Sequence, residues 1–381
     1  MKKLSLFVLG MSLCLCVCGT DTVSHTEVQG THIDTMKQPI IIPGTPSFTA
    51  SEKCFYHLSE MGALFGYDTS KNSMHLSNVA YVDGKEAEDP SVLAAPEKYT
   101  DSAEGGMTYV NGNLMYISNY RNTEGVSEYH INTLNEKGED VKTFLKLEYV
   151  PASMAVQDST LAIVEESEKA STIHFYDLSG KELNTTKLDG YIEAFQAVDD
   201  GFVVNVDNST LYKIPLTELS KKEKLLDVQD TLYYVQGKYA IFWKFDVPEN
   251  FNEIQDTSLI GKSSYLVDLD TKDIILSFEN ELIDMIDEEH IYTTDVTEQN
   301  VKYHIYDWEQ KQQKELCPST IIGEAPNYRL SSMYTTQDYS NIQALWKDQI
   351  FISSLDESNT VSIYACDIEE GSCKVAFNYM M

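Results

Sequence analysis

A short theme recurs seven times along the chain: a few β-favouring residues, an Asp or a stand-in for it, a polar turn, then a second apolar strand. It reads "LFGYDTSKNSMHL" (64–76), "YHINTLNEKGEDVKTFL" (129–145), "IHFYDLSGKELNTTKL" (173–188) and "LYKIPLTELSKKEKLL" (211–226). It returns as "YLVDLDTKDIILSF" (265–278), "YHIYDWEQKQQKEL" (303–316) and "IYACDIEEGSCKVAF" (363–377). Aligned on the residue that opens the turn, the copies begin at Asp68, Thr133, Asp177, Pro215, Asp268, Asp307 and Asp367. Their spacings are 65, 44, 38, 53, 39 and 60 residues. Self-similarity at a period of about 50 residues is the mark of a repeat architecture. Short polar side chains at the turn bond their own backbone and let the chain reverse, and Lys and Glu keep it wet. The flanks alternate and favour Tyr, Ile, Val and Phe, as half-buried strands do.

A second pair of strands precedes several copies. "MTYVNGNLMYISNY" (107–120) carries Asn-Gly between apolar runs, a strong hairpin signal. "EAFQAVDDGFVVNVD" (193–207), "TLYYVQGKYAIFWKF" (231–245) and "LIDMIDEEHIYTTDV" (282–296) repeat the arrangement. Each unit is thus two hairpins of about 48 residues, the size of a propeller blade. The expected fold is all-β: a single β-propeller over residues 39–381, built of four-stranded antiparallel blades. Seven blades fit best, with six or eight left open by an incomplete first unit and irregular spacing. No unit can bury its faces alone, which a ring of stacked neighbours supplies. "PIIIPG" (39–44) is a candidate closing strand for the last blade. The rival is a mixed α/β fold, since "TEQNVKYHIYDWEQKQQKEL" (297–316) would set Val301, Ile305 and Trp308 on one helix face. Register with the other six copies favours strands.

Three connections are longer than a turn requires: 81–106, 246–262 and 317–340. Long loops on a rigid scaffold often carry binding. Within them Tyr99, Phe251, Tyr328, Arg329 and Tyr334 are candidate anchors for a protein or sugar surface.

Residues for catalysis are harder to find. Of eight histidines, His130, His174 and His304 each stand three before a turn residue, in three different units. Equivalent places on separate blades are spread around a ring, which argues against one metal site and favours repeat-derived surface or packing residues. There is no H-E-x-x-H and no G-x-S-x-G nucleophile elbow. "GKSS" (261–264) is like the end of a phosphate loop, but Asp256 stands where its first Gly is needed. "DLDTKD" (268–273) could gather Asp268, Asp270 and Asp273 around Ca²⁺, yet it fits an ordinary turn better. Neither catalytic residues, a metal site nor a cofactor is expected.

The N-terminus supplies an address. Met1-Lys2-Lys3 is followed by "LSLFVLGMSLCLCV" (4–17), a basic head and an apolar run too short to span a bilayer. It has the form of a secretory signal peptide. "LCVCGT" (15–20) resembles the lipobox of bacterial lipoproteins: Leu15 stands three before Cys18, and Gly19 follows. Cys16 and Val17 depart from the usual small residues, and Cys16, with Leu13 three before it, is a rival modification site. The resemblance implies cleavage after residue 17, loss of Cys14 and a lipid (diacylglyceryl and fatty acyl, palmitate among them) on Cys18. Each buried methylene of such chains contributes about 0.8 kcal/mol of membrane affinity. Residues 18–38 lack apolar periodicity and read as a flexible tether. Of the remaining cysteines, Cys366 and Cys373 in "CDIEEGSC" are the best local disulfide candidates, because a hairpin would bring them together.

Together the lipobox and the degenerate "YD-turn-K" blades are similar to the propeller lipoproteins of bacteria, including those with TolB-like propellers. That likeness implies a propeller at the cell surface and transfers no catalytic residue. With 60 acidic against 28 basic residues the net charge is −32, which repels nucleic acid. From Asp246 to Asn300 there are 15 acidic and 2 basic side chains. The expected function is that of a lipid-anchored, extracytoplasmic scaffold that recognises a protein, peptide or glycan. The alternatives are a propeller enzyme of glycosidase or lactonase type and a transporter's solute-binding lipoprotein.

Overall fold

The computed structural model describes residues 25–27, 40–41, 47–58, 63–68, 73–78, 81–82, 85–86, 100–101, 106–121, 127–136, 142–165, 170–246, 261–296, 301–308, 310, 312–316, 340–355 and 360–380. These form seven four-stranded antiparallel meanders, each made from one continuous stretch of chain. Blade 1 runs from Ser47 to Asn78, blade 2 from Met107 to Leu147, blade 3 from Pro151 to Asp189 and blade 4 from Ile192 to Asp227. Blade 5 runs from Thr231 to Glu279, blade 6 from Leu282 to Leu316 and blade 7 from Ser340 to Met380. The first strand of each blade touches the first strand of the next, and that of the seventh touches that of the first. The protein is a seven-bladed β-propeller, and no helix occurs among the described residues.

The repeated theme is the outer hairpin of every blade. Asp68, Asp177, Pro215, Asp268, Asp307 and Asp367 each end a third strand, and Thr133 lies two short of the end at Asn135. Four of the carboxylates do what the turn needs. Oδ1 of Asp177 accepts Ser179 N at 2.8 Å and Lys181 N at 3.1 Å. That of Asp268 accepts Asp270 N and Thr271 N at 2.9 and 3.2 Å. Oδ1 of Asp307 and of Asp367 accepts the amide three residues on, at 2.6 and 2.8 Å. The stretch 297–316 that could have been a helix holds the strands Val301–Asp307 and Gln312–Leu316.

Alternation along the strands fills the spaces between blades. In blade 4, Phe202, Val204 and Val206 pack against Ile173, Phe175 and Leu188 of blade 3. Their neighbour Val203 turns the other way, to Leu232 and Phe242 of blade 5. The second strand Gly201–Val206 is therefore buried at all six positions, which explains its unbroken apolar run. Apolar clusters of this kind occupy all seven interfaces. Full burial of one such Phe or Val is worth about 1.5–3 kcal/mol.

Ring closure does not exchange a strand between terminal blades. Blade 1 meets blade 7 through stacked rings, with Phe55 and Phe351 centroids 3.7 Å apart and Tyr67 edge-on to Phe377. Ile40–Ile41, from the candidate closing stretch, pairs antiparallel with Leu345 and Ala344 on the innermost strand of blade 7. The closing strand is thus added on the inner side of the sheet rather than at its outer edge. The Ile41 carbonyl accepts Tyr234 Oη of blade 5 at 2.9 Å, and Ile40 is buried among residues of blades 5, 6 and 7. Inside the stretch expected as tether, His25–Glu27 pairs antiparallel with Phe278, Ser277 and Leu276, on the outer strand of blade 5.

Candidate binding face and buried polar groups

A four-stranded meander returns to the side on which it began. The links between blades, and those between second and third strands, therefore emerge on one face, here termed the connection face. Links between first and second and between third and fourth strands emerge on the other, the turn face. All three long connections start and end on the connection face. One joins Asn78 to Met107 between blades 1 and 2, one joins Asp246 to Gly261 within blade 5, and one joins Leu316 to Ser340 between blades 6 and 7. By contrast, the inner hairpins on the turn face are tight: Asn111-Gly112, Asp158, Gly237 and Lys347-Asp348 take positive φ there. Tyr99, Phe251, Tyr328, Arg329 and Tyr334 lie outside the described residues, as do Cys14, Cys16 and Cys18.

At blades 3 and 4 the connection face presents side chains that no sequence motif announced. Val150 and Tyr191 each immediately precede an inner strand and are 45% and 42% exposed. Tyr191 is held firmly by its backbone. Its N–H donates to Asp207 Oδ1 at 2.7 Å, and its carbonyl accepts Asp207 N at 2.9 Å. Ser171 Oγ grips both flanks, donating to Gly190 O at 3.0 Å and accepting Ile192 N at 3.2 Å. Gly190 has φ +126°, and a Cβ there would lie 2.2 Å from Asp207 Oδ2. Only glycine admits this arch. Three residues after Gly190, the Glu193 carboxyl is pushed up from its ordinary range, first by partial burial and then by Asp207. An exposed tyrosine on a fixed backbone, with Asp207 and Glu193 close to it along the chain and across the turn, is of a kind that suits a sugar or a cationic peptide group. The cue available in the sequence was "DGY" before an apolar strand.

The same Ser device recurs at the next interface but one. Ser264 Oγ of blade 5 donates to Glu281 O at 2.8 Å and accepts Ile283 N at 2.9 Å. Three glutamines on inner strands add further clasps that sequence reasoning missed. Gln157 Nε2 reaches Asp199 O at 2.9 Å, and Gln196 Oε1 accepts Val235 N at 2.8 Å. Gln236 Oε1 accepts Ile286 N at 3.1 Å while its amide donates to Ile286 O.

Two buried carboxylates, Glu281 just before blade 6 and Asp284 on its first strand, lie close in sequence. Burial works against Glu281, but His304 Nδ1 at 3.0 Å, Thr293 Oγ1 at 2.5 Å and Gln313 Nε2 at 2.9 Å outweigh it and hold its carboxyl below the usual range. Asp284 accepts Thr294 Oγ1 at 2.5 Å, whereas its Oδ1 has no partner among the described residues. Complete burial drives its carboxyl well above the usual range, with Glu281 adding to the effect. Both groups are closed to solvent, at 1% and 0% exposure, so they brace the sheet rather than present an acid–base pair.

The three histidines lie on third strands of different blades. His130 sits 3.7 Å from Glu128 and His174 2.9 Å from Glu165, while His304 belongs to the Glu281 cluster. Gly261–Ser264, the stretch like a phosphate loop, opens the third strand of blade 5. Asp268 spends Oδ1 on its turn and sets Oδ2 3.2 Å from Lys238. Among the described residues no group of three or more His, Cys, Asp or Glu could hold a metal ion. Cys366 and Cys373 face each other as register partners and are joined by a disulfide.

Comparison with known proteins places this geometry in a wide structural class. No protein-family model and no curated protein matches the sequence. Acylaminoacyl peptidase of Pyrococcus horikoshii is similar in structure, with a TM-score of 0.51 and 10% identity, over 91% of this chain and 54% of that one. A prolyl endopeptidase aligns over 89% of this chain and 50% of its own, with a TM-score of 0.50 and 9% identity. TolB from Acinetobacter baumannii is a weaker likeness, with a TM-score of 0.41 and 14% identity over 86% of this chain. The chain spans about half the length of these peptidases. The likeness is one of fold.

Proposed function

We propose that this protein is a lipid-anchored, extracytoplasmic binding scaffold whose connection face recognises a protein, peptide or glycan. The observation that carries the reading is the asymmetry of the ring. The described ends of the long connections at blades 1–2, 5 and 6–7 lie on the same face as the exposed Tyr191, while the inner hairpins opposite are tight. A β-scaffold with long connections rooted on one side, beside an exposed aromatic residue on a fixed backbone, has the form of a recognition surface. Tyr99, Phe251, Tyr328, Arg329 and Tyr334 would serve as further anchors in those connections. The lipobox-like "LCVCGT" supports attachment through Cys18, and the acidic balance argues against nucleic acid as the partner.

Two measurements test the two halves of this reading. Labelled fatty acid should enter the wild-type chain and be absent from Cys18→Ala, which should also leave the membrane; labelling retained in that variant would move the anchor to Cys16 or remove the lipobox. For recognition, the soluble domain should be screened against arrayed glycans and peptides. Tyr191→Ala should weaken a hit at least about tenfold, as loss of an anchor worth about 1.4 kcal/mol requires. A hit indifferent to Tyr191 and to shortening of the three long connections would place recognition elsewhere.

A further inference from the structure

We infer that the chain's own N-terminal segment, docked on blade 5, fixes which side of the propeller faces the bilayer. The inference rests on the lipid-anchor reading and goes beyond it. A tether free from Cys18 to Ile40 has 22 Cα steps, up to about 80 Å of extended chain. Such a tether would let any blade approach the membrane. His25–Glu27 interrupts that freedom by adding a fifth strand to the outer edge of blade 5, in register with Leu276–Phe278. Only seven Cα steps then separate Cys18 from His25, at most about 25 Å.

Strand direction fixes the point of attachment more closely. A fourth strand runs from the turn face to the connection face, so the antiparallel His25–Glu27 runs the opposite way. His25, paired with Phe278, stands at the connection-face rim of blade 5, and Glu27, paired with Leu276, lies nearer the turn face. Ile40–Ile41, antiparallel to an inner strand, runs back from the turn face to the connection face, where blade 1 begins. The segment therefore holds the ring at two places, the outer edge of blade 5 and the inner edge of blade 7. A propeller so held keeps the rim of blade 5 within the short reach of its anchor. Its surface supplies little adhesion of its own, because the region around blades 5 and 6 is strongly acidic. The partner surface is thus a lipid bilayer approached by the connection-face rim of blade 5, with blades 1 and 2 on the far side of the ring.

The test uses the full, acylated chain in phosphatidylcholine vesicles that contain a small fraction of acceptor-labelled lipid. A fluorescent amino acid replaces either Glu279, exposed at the end of the outer strand of blade 5, or Lys146, exposed on that of blade 2. Donor emission should be lost at position 279 and largely retained at position 146. Thr26→Pro, which removes a ladder donor, should equalise the two, as should about 20 Gly/Ser residues inserted between Cys18 and His25. Separately, Thr26→Cys with Ser277→Cys should form an internal crosslink on oxidation. A chain that takes up no acyl label fails with the anchor reading itself. A labelled, vesicle-bound chain with equal transfer from both donors, or one that forms no crosslink, overturns this inference alone.

Discussion

At Gly190 the backbone has no alternative residue. With φ at +126° and a would-be Cβ 2.2 Å from Asp207 Oδ2 and 2.7 Å from Val206 Cγ1, alanine must displace the side chain that clamps Tyr191. Gly190→Ala should cost at least about 2–3 kcal/mol of stability, from backbone strain and the lost clamp together. Gly237, with φ +58° and open space around it, should lose only about 1 kcal/mol on the same change. Denaturant midpoints of the two variants make the comparison. Asp284 offers a prediction in pH. Its carboxyl keeps its proton in the folded chain where the unfolded chain has lost it, so the stability it contributes is present below the ordinary carboxylate range and declines as pH rises towards its folded value. Asp284→Asn should therefore flatten the fall in melting temperature as pH rises above the ordinary carboxylate range and raise the melting temperature at the upper end, where each pKa unit is worth about 1.4 kcal/mol. An unchanged profile would show that the group is not the source of that slope.

At the scale of the element, the inner strands depend on side chains from the blade before. Gln236→Ala would strip Ile286 N–H and O of partners in a buried strand and should cost about 2–4 kcal/mol. Hydrogen exchange should rise first along Leu282–Ile286. The outer hairpin of blade 7 is closed instead by Cys366–Cys373, a loop of sequence separation 7. Chain entropy alone gives such a short link about 2–3 kcal/mol, read as the difference in unfolding free energy between wild type and Cys373→Ser. These two elements differ in how far sequence could find them. The outer hairpins were legible because an Asp at a turn acts on amides two to four residues away, as Asp177 does, so the pattern is local and repeats. The glutamine clasps join residues 39 to 50 apart in different blades, which hides them from a local pattern. Inner-strand bulges hid the rest. The register slips between Ile192 and Ala194, Leu232 and Tyr234, and Ile283 and Met285, so alternation read along these strands changes face midway. Tyr191 stayed invisible for a related reason: the backbone around it is held by Ser171 of blade 3 and by Asp207 in a turn of blade 4, both distant in sequence.

At the scale of the molecule, a ring of seven separately hydrogen-bonded sheets needs one interface to close last. The candidate is that between blades 1 and 7, which no continuous chain connects through a shared blade. Its stacked Phe55 and Phe351 supply apolar area, and Ile40–Ile41 ties the entry to blade 1 against the inner strand of blade 7. Repeat-like sheets stabilised mainly by their neighbours should open at their weakest junction before they unfold together. Ile40→Ala removes buried contacts shared by blades 5, 6 and 7, at a cost of about 2–4 kcal/mol. Because that residue holds the closing strand, the loss should be local at first. Amide exchange should accelerate in Ser47–Leu58 and Ser340–Leu355 under conditions where Gly201–Val206, buried on both faces between blades 3 and 5, remains protected. Uniform acceleration around the ring would mean instead that closure is shared equally among the seven interfaces and that Ile40–Ile41 acts only as packing.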